Sequence, residues 1–359
     1  MPCATRDGEL VLARITVRRR AAGEERVQAF APGRVNLIGD HTDHTGGLVL
    51  PMAIQLGTTV TGWRGGDRVR LVSADEPAPA DVGLDVGDPA SATPPWARYV
   101  AGVVSELRPS QGFTGEVTTT LPLGGGLSSS AALEVAVALA LGLAEDDLLT
   151  VARLCQLAEH AASGVPCGIM DQLASAAGVD GSALLIDCHS LAVTPVAIPD
   201  GSEVVVVHSG QERALAGSAY AERRAQCEAA QDRVGVLRKA SLDRVDSLDD
   251  PVLRRRARHV VTENERVRDF AAALAAGDLS AAGRLMTASH ASLRDDFEVS
   301  TPTLDALVTR LSERPGVHGA RLTGAGFGGC VVALTRPGAI TGEGWVVRPS
   351  AGAHLQRLP

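Results

Sequence analysis

Apolar and polar positions alternate in short runs through the first part of the chain and settle into helical spacing further along. Residues 10–12, 27–30, 58–61 and 69–72 are strand cores between turns, which predicts a β-rich layer. Residues 75–95, crowded with Pro, Gly, Asp and Ala, predict an irregular surface loop that could cover a cleft. From Trp96 the apolar positions Tyr99, Val100, Val103, Val104 and Leu107 recur at helical spacing. Residues 117–121 are strand-like, and a glycine turn at 122–127 leads into a strong helix over about 129–141. Further helices are predicted over about 147–162 and 170–177, strands over 182–187 and 204–208, and long charged helical patterns over 212–276 and 280–294. A glycine cluster at 323–329 precedes the apolar run 330–334. Strands and helices mixed in this way favour an α+β arrangement over a regularly alternating parallel sheet.

At 359 residues the chain exceeds what one hydrophobic core usually supports, so two domains are expected, residues 1–200 and 201–359. A formal net charge of -8 argues against nucleic acid or an anionic membrane as partner, because both need a basic face. The expected ligand is small, and the chain is expected to be a monomer or weak dimer. No N-terminal apolar stretch resembles a signal peptide. The richest apolar run, 131–143, is interrupted by Glu134 and is too short to span a bilayer. The six cysteines form no CxxC pair, which fits a reduced cytoplasmic protein without a zinc knuckle or dithiol motif. Lys239 is the single lysine. A Walker A loop and a Schiff-base enzyme both need a lysine, and this one sits in a charged, helix-like stretch that reads as a solvated face.

Against that background, residues 31–51 stand out: Arg34, Asn36, Asp40, His41, Asp43 and His44 are packed between apolar residues and glycines. Converging, they would suit a polyhydroxylated ligand or a metal; the alternative is a turn whose Asp and Thr side chains cap their own backbone. Residues 121–133 combine three glycines, Gly124, Gly125 and Gly126, with Leu127 and three serines, Ser128, Ser129 and Ser130, ahead of an alanine-rich helix. A helix N-terminus behind such a loop presents unpaired N–H groups and suits an oligophosphate, although a glycine turn with a serine cap has the same letters. Gly324, Gly326 and Gly329 have dinucleotide-fingerprint spacing but run into a strand-like segment, so a tight turn against an active site is the better reading. Asp171 falls at a predicted helix start, where an acid is favoured by the dipole alone.

Together these segments resemble the signature motifs of galactokinases, within the GHMP small-molecule kinases. The motifs are residues 33–39 with His41-Thr42-Asp43, residues 122–132, residues 168–172 and residues 321–330, in the family's order and spanning most of the chain. The resemblance implies a two-domain GHMP kinase fold, with an N-terminal ribosomal-protein-S5-like domain, a C-terminal ferredoxin-like domain and the active site between them. It implies transfer of the γ-phosphoryl group of ATP, with Mg2+, to the anomeric hydroxyl of galactose or a related sugar. Residue by residue, Asp171 matches the proposed base and Arg34 the arginine beside it. Ser130 and Glu159 match the Mg2+ ligands, and Trp96 and Tyr99 the aromatic pair near adenine. The loop from Gly124 to Ser130 matches the phosphate-binding segment. Asp40, His41, Asp43, Gly168 and Tyr220 match acceptor-contacting positions. Two departures bear on the acceptor: galactokinases generally carry Glu where this chain has Asp40, and Tyr-Asn where it has His44-Thr45. A catalytically silent sugar and ATP sensor on the same fold is the competing expectation.

Overall fold

The computed structural model describes residues 25–122, 125–211 and 216–359. The predicted strand at 10–12 and the loop residue Gly124 lie outside them. In chain order the first elements are strands β1 (Arg26–Asn36), β2 (Leu48–Val49), β3 (Pro51–Arg64), β4 (Arg68–Ser73) and β5 (Ala80–Gly83), helix α1 (Ala97–Leu107), strand β6 (Phe113–Thr119), helices α2 (Ser129–Ala140), α3 (Leu148–Ser163) and α4 (Met170–Ala177), and strands β7 (Ser182–Asp187) and β8 (Ala192–Ala197). Then follow β9 (Glu203–His208), helices α5 (Ala216–Val234), α6 (Leu242–Asp246), α7 (Pro251–Ala275), α8 (Leu279–Asp295) and α9 (Pro302–Ser312), and strands β10 (Val317–Thr323), β11 (Cys330–Thr335), β12 (Trp345–Val347) and β13 (His354–Leu358).

The first sheet runs β13-β1-β3-β6-β4-β5 and is antiparallel except at β4·β6. Alternation along β1 turns Val27, Ala29 and Ala31 inward, where they meet Val100 and Val104 of α1 and Ala136 and Leu139 of α2 in one core. Every residue of α2 from Ala131 to Ala140 is buried, which explains why its sequence is apolar all round. A second sheet, β10-β11-β9-β12, is antiparallel throughout and shares a core with helices α7 and α9 that includes Val207, Val260, Leu304 and Val331. The two regions are joined by a further apolar core, in which Leu37, Ile38, Leu50 and Met52 pack with Val206, Val267, Phe270 and Val332. The last strand, β13, returns to pair with β1.

Several predictions of detail are corrected. Residues 75–95 contain the edge strand β5, whose inward positions Ala80 and Val82 are too few to stand out among turn residues. Strand β8 escaped notice because it is an edge carrying Pro195 and mostly exposed side chains. The charged stretch 212–276 is not one helical run. It breaks at Gly235, at the Ser241 cap of α6 and at Asp250-Pro251, where the Asp250 carboxylate accepts the first N–H groups of α7. Lys239 ends a short 3-10 turn and is exposed, as its solvated-face reading requires. Among the described residues no helix is long and apolar enough to cross a membrane.

Candidate active site

Arg34 and Asp171 meet at the centre of a cavity of about 380 Å³. A register shift in β1 between Pro32 and Arg34 frees the strand to follow the glycine loop, and the Arg34 N–H donates to the Leu127 carbonyl at 3.1 Å. Only glycine fits at position 33, since a Cβ there would lie 2.4 Å from that same carbonyl oxygen. Asp171 is the second residue of α4, a helix tied to β1 by Ser175 Oγ donating to Pro32 O at 2.7 Å. The Arg34 guanidinium then spans the Asp171 carboxylate, Nε to Oδ1 at 2.7 Å and Nη2 to Oδ2 at 2.6 Å, and its Nη1 donates to Gly126 O at 3.0 Å. Ser128 Oγ adds a third donor, to Asp171 Oδ2 at 2.5 Å.

The acceptor-side turn is clamped by the second sheet. Asp40 is buried, pairs with buried Arg321 at 2.5 Å, and accepts from Asn36 Nδ2 at 2.8 Å and Gly324 N at 2.7 Å. Helix α7 holds the same turn from another side: Glu263 Oε1 accepts Gly39 N at 3.0 Å, Asn264 Oδ1 accepts Leu48 N at 2.7 Å, and His259 Nε2 donates to Asp40 O at 3.1 Å. Arg266 keeps the carboxyl of buried Glu263 ionised, lowered to about 2 against the opposing effect of burial.

His41 has a left-handed φ of 65° and lies 4.6 Å from the Phe297 ring and 5.6 Å from the Tyr220 ring, centroid to centroid. Burial lowers its pKa well below the usual histidine value, so the ring is neutral. Its Nε2 faces Ala325 O at 3.2 Å and must carry the hydrogen; Nδ1 is therefore a buried acceptor with no partner among the described residues. Asp43 Oδ1 accepts the His44 N–H at 2.9 Å, and burial beside Asp171 pushes the Asp43 carboxyl up to about 6.

Gly168 is fitted to Asp43: a Cβ at 168 would fall 1.8 Å from Asp43 Oδ2 and 2.2 Å from its Cγ. Gly168→Ala is expected to cost roughly 1–3 kcal/mol of overpacking, read as a rise of about 10- to 100-fold in acceptor KM with nucleotide affinity unchanged. An unchanged acceptor KM would show that Asp43 does not shape the acceptor side.

On the opposite side of Asp171 lies a second acidic group. Glu159, in α3, lies beside Ser130 and Glu134, and Gln172 Nε2 donates to Glu134 Oε2 at 3.2 Å and to Glu159 Oε2 at 3.3 Å. Burial raises both carboxyls, helped by the charge of Glu159 at Glu134 and by that of Asp171 at Glu159. Glu134 is fully buried and its Oε1 has no partner among the described residues. An orphaned buried oxygen beside a carboxyl and a hydroxyl is a donor set of the kind Mg2+ takes. Among the described residues no group of three or more acidic, His or Cys side chains is placed to hold a metal ion. In sequence Glu134 is only an interruption of an apolar run; the signal that marks it is an acid four residues after Ser130 on a helix buried from Ala131 to Ala140.

Residues 125–130 do not line this cavity; they meet it through Arg34 and Asp171, and no side chain caps the first turn of α2, the Ser128 hydroxyl being engaged by Asp171. Gly125 is held against β11 by Cys330 Sγ donating to its carbonyl at 2.9 Å. Tyr99 is half-buried and lines the cleft, its hydroxyl pushed up to about 12 by burial and by Glu159 and Glu134. Trp96 does not line it. The indole is buried in the core of the first sheet, with Nε1 donating to Ala78 O at 3.0 Å. The other acceptor-side residues, Asp40, His41, Asp43, Gly168 and Tyr220, line the same cavity as Arg34, Asp171 and Glu159. Gly324 and Ala325 join them, so the glycine cluster at 323–329 is a turn against the site, as expected, and no dinucleotide loop.

The chain is similar to known proteins along nearly its whole length. The galactokinase galactose-binding signature matches residues 19–63, the GHMP kinase N-terminal domain residues 98–179 and the GHMP kinase C-terminal domain residues 270–340. Human galactokinase is 44% identical, with 97% of this chain and 91% of the human protein covered. A galactokinase from Roseiflexus sp. (strain RS-1) is 45% identical over 85% of this chain and 82% of its own. The crystal structure of Lactococcus lactis galactokinase complexed with galactose superposes with a TM-score of 0.83 at 33% identity, covering 93% of this chain and 95% of that one. A mevalonate kinase shares the fold, with a TM-score of 0.62 at 21% identity. With an Arg-Asp pair between a glycine-serine loop and a clamped polar turn, and with such similarity along nearly its whole length, this chain belongs to the galactokinase family of GHMP kinases.

Proposed function

We propose that this protein transfers the γ-phosphoryl group of MgATP to the anomeric hydroxyl of galactose. The observation that carries the reading is the Asp171 carboxylate, held by Arg34 between the uncapped start of α2 and the acceptor turn. A phosphoryl acceptor hydroxyl needs a nearby carboxylate, and a transferred phosphoryl group needs fixed positive charge; the cleft offers both at one point.

In this reading the N–H groups at the start of α2 bind phosphate oxygens, and Arg34 offsets charge gathering on the γ-phosphoryl. Ser130 and Glu159 would hold Mg2+, with Glu134 behind them. Bound there, the cation neutralises phosphate charge. His41 Nδ1 and Asp43 accept hydroxyl hydrogens of the sugar, with Gly168 and Tyr220 shaping the space around it. Asp40, engaged by Arg321, Asn36 and Gly324, serves chiefly as the brace that fixes this turn. Asp171 takes the anomeric hydroxyl proton. A silent sensor has no need of this assembled Arg34, Asp171 and Glu159 set, and no observation favours that alternative. The protein acts as a cytoplasmic monomer or weak dimer.

The test is kcat/KM with ATP across galactose, glucose, arabinose, galacturonate, glucuronate and N-acetylgalactosamine. Galactose is expected to lead by more than about tenfold, or about 1.4 kcal/mol in transition-state binding. A smaller lead, or a lead by a uronic acid or pentose, would move the acceptor assignment while leaving the kinase standing.

A further inference from the structure

The two oxygens of Asp171 are not equivalent. Oδ2 accepts from both Arg34 Nη2 at 2.6 Å and Ser128 Oγ at 2.5 Å, whereas Oδ1 accepts from Arg34 Nε alone at 2.7 Å. Ser128 occupies the cap position of α2, where a serine hydroxyl ordinarily accepts a first-turn N–H. Here it does not: φ is 58° and ψ 49°, the side chain caps nothing, and the buried hydroxyl is turned onto the carboxylate. A left-handed conformation at a residue other than glycine carries a cost of order 1 kcal/mol, and it comes with a forgone cap. The backbone on either side is hydrogen-bonded: Ser128 O accepts Ala132 N at 3.0 Å, and Gly126 O and Leu127 O accept from Arg34.

We infer that Ser128 is a positioning residue for Asp171: by occupying Oδ2 it leaves Oδ1 as the oxygen that receives the proton. In the step, the anomeric O–H bond breaks, its proton forms a bond to Oδ1, and the electron pair left on the sugar oxygen forms the new bond to the γ-phosphorus as the bond to the ADP oxygen breaks. The Ser128 hydroxyl therefore belongs to the base, and what Ser128 gives the nucleotide comes from its backbone. The inference rests on the phosphoryl-transfer reading above and adds to it a residue with a role distinct from phosphate binding. The charged groups around Asp171 are Arg34 on β1, Asp43 in the acceptor turn, Glu134 on α2 and Glu159 on α3, and removing the Ser128 hydroxyl changes none of them.

The test is Ser128→Gly, which removes the hydroxyl and suits the left-handed backbone, so the fold is expected to keep or gain thermal stability. Its kcat should fall by roughly 10- to 100-fold, the scale of a lost hydrogen bond to a charged group, with KM for ATP and for galactose within about threefold of the parent. In an Asp171→Asn background the same change should cost less than about twofold, because Ser128 acts through that carboxylate. An equal loss in both backgrounds, a rise confined to KM for ATP, or an unchanged kcat would each overturn the assignment. Failure of the phosphoryl-transfer reading shows differently, as a parent protein that phosphorylates no sugar in the panel.

Discussion

Asp171→Asn is expected to bind ATP and galactose as the parent does and to turn over at least about 100-fold more slowly, a loss of about 2.7 kcal/mol in transition-state stabilisation. The side chains are isosteric, so the cavity keeps its shape. The change lies in what the group can accept. A carboxylate takes Arg34 on two oxygens with lone pairs left over, whereas an amide offers one oxygen and sets its NH2 against a donor from Arg34 or Ser128. The amide is also far too weak a base to take the hydroxyl proton. The effect should therefore fall on kcat, measured at saturating substrates, with affinities from calorimetry little changed. Turnover within a few-fold of the parent would remove Asp171 from the chemistry.

Arg34→Met should have the larger effect, about 1,000-fold or more on kcat, because it removes the positive charge that faces the transferred group and the partner of Asp171 together. Arg34 is 5% exposed, and its side chain makes three hydrogen bonds, two to Asp171 and one to Gly126 O. Its loss leaves Asp171 close to Asp43 and Glu159 with no compensating cation, so some of the damage will appear as lower thermal stability. Arg34→Lys separates the two contributions. Lysine restores the charge but, as a point donor on a flexible stem, cannot hold both Asp171 oxygens and the loop carbonyl at once. Recovery of part of the stability with kcat still down by about tenfold or more is the expected outcome. Full recovery would mean that charge alone matters and that the bidentate geometry does not.

The residues legible before any fold was known were those whose chemistry is concentrated in one stretch. Arg34, Asp40, His41 and Asp43 lie within ten residues, and the Gly-Gly-Gly-Leu-Ser-Ser-Ser run announces a helix start with unusual backbone freedom. Glu134 was hidden by its surroundings: an acid in an alanine-rich helix reads as a flaw until the helix proves to have no exposed face. Arg321 was hidden by distance, as its value lies in meeting Asp40 across 281 residues of chain. The direction of Trp96 is a third case. Periodicity identifies the helix it begins, but whether an indole faces the core or a cleft depends on what packs beside it, and here the Ala78 carbonyl claims its N–H.

By itself, then, the sequence determined the α+β class, most helix and strand positions, and the family of the chain, because local periodicity, turn chemistry and contiguous motifs are properties of short segments. Only the tertiary structure decided how those motifs face one another. It joined Arg34 to Asp171 across 137 residues, set β10 and α7 against the acceptor turn, and turned the Ser128 hydroxyl from cap to carboxylate. Side-chain direction is settled by packing and by the satisfaction of buried polar groups, and both are fixed by partners that lie far away in the chain.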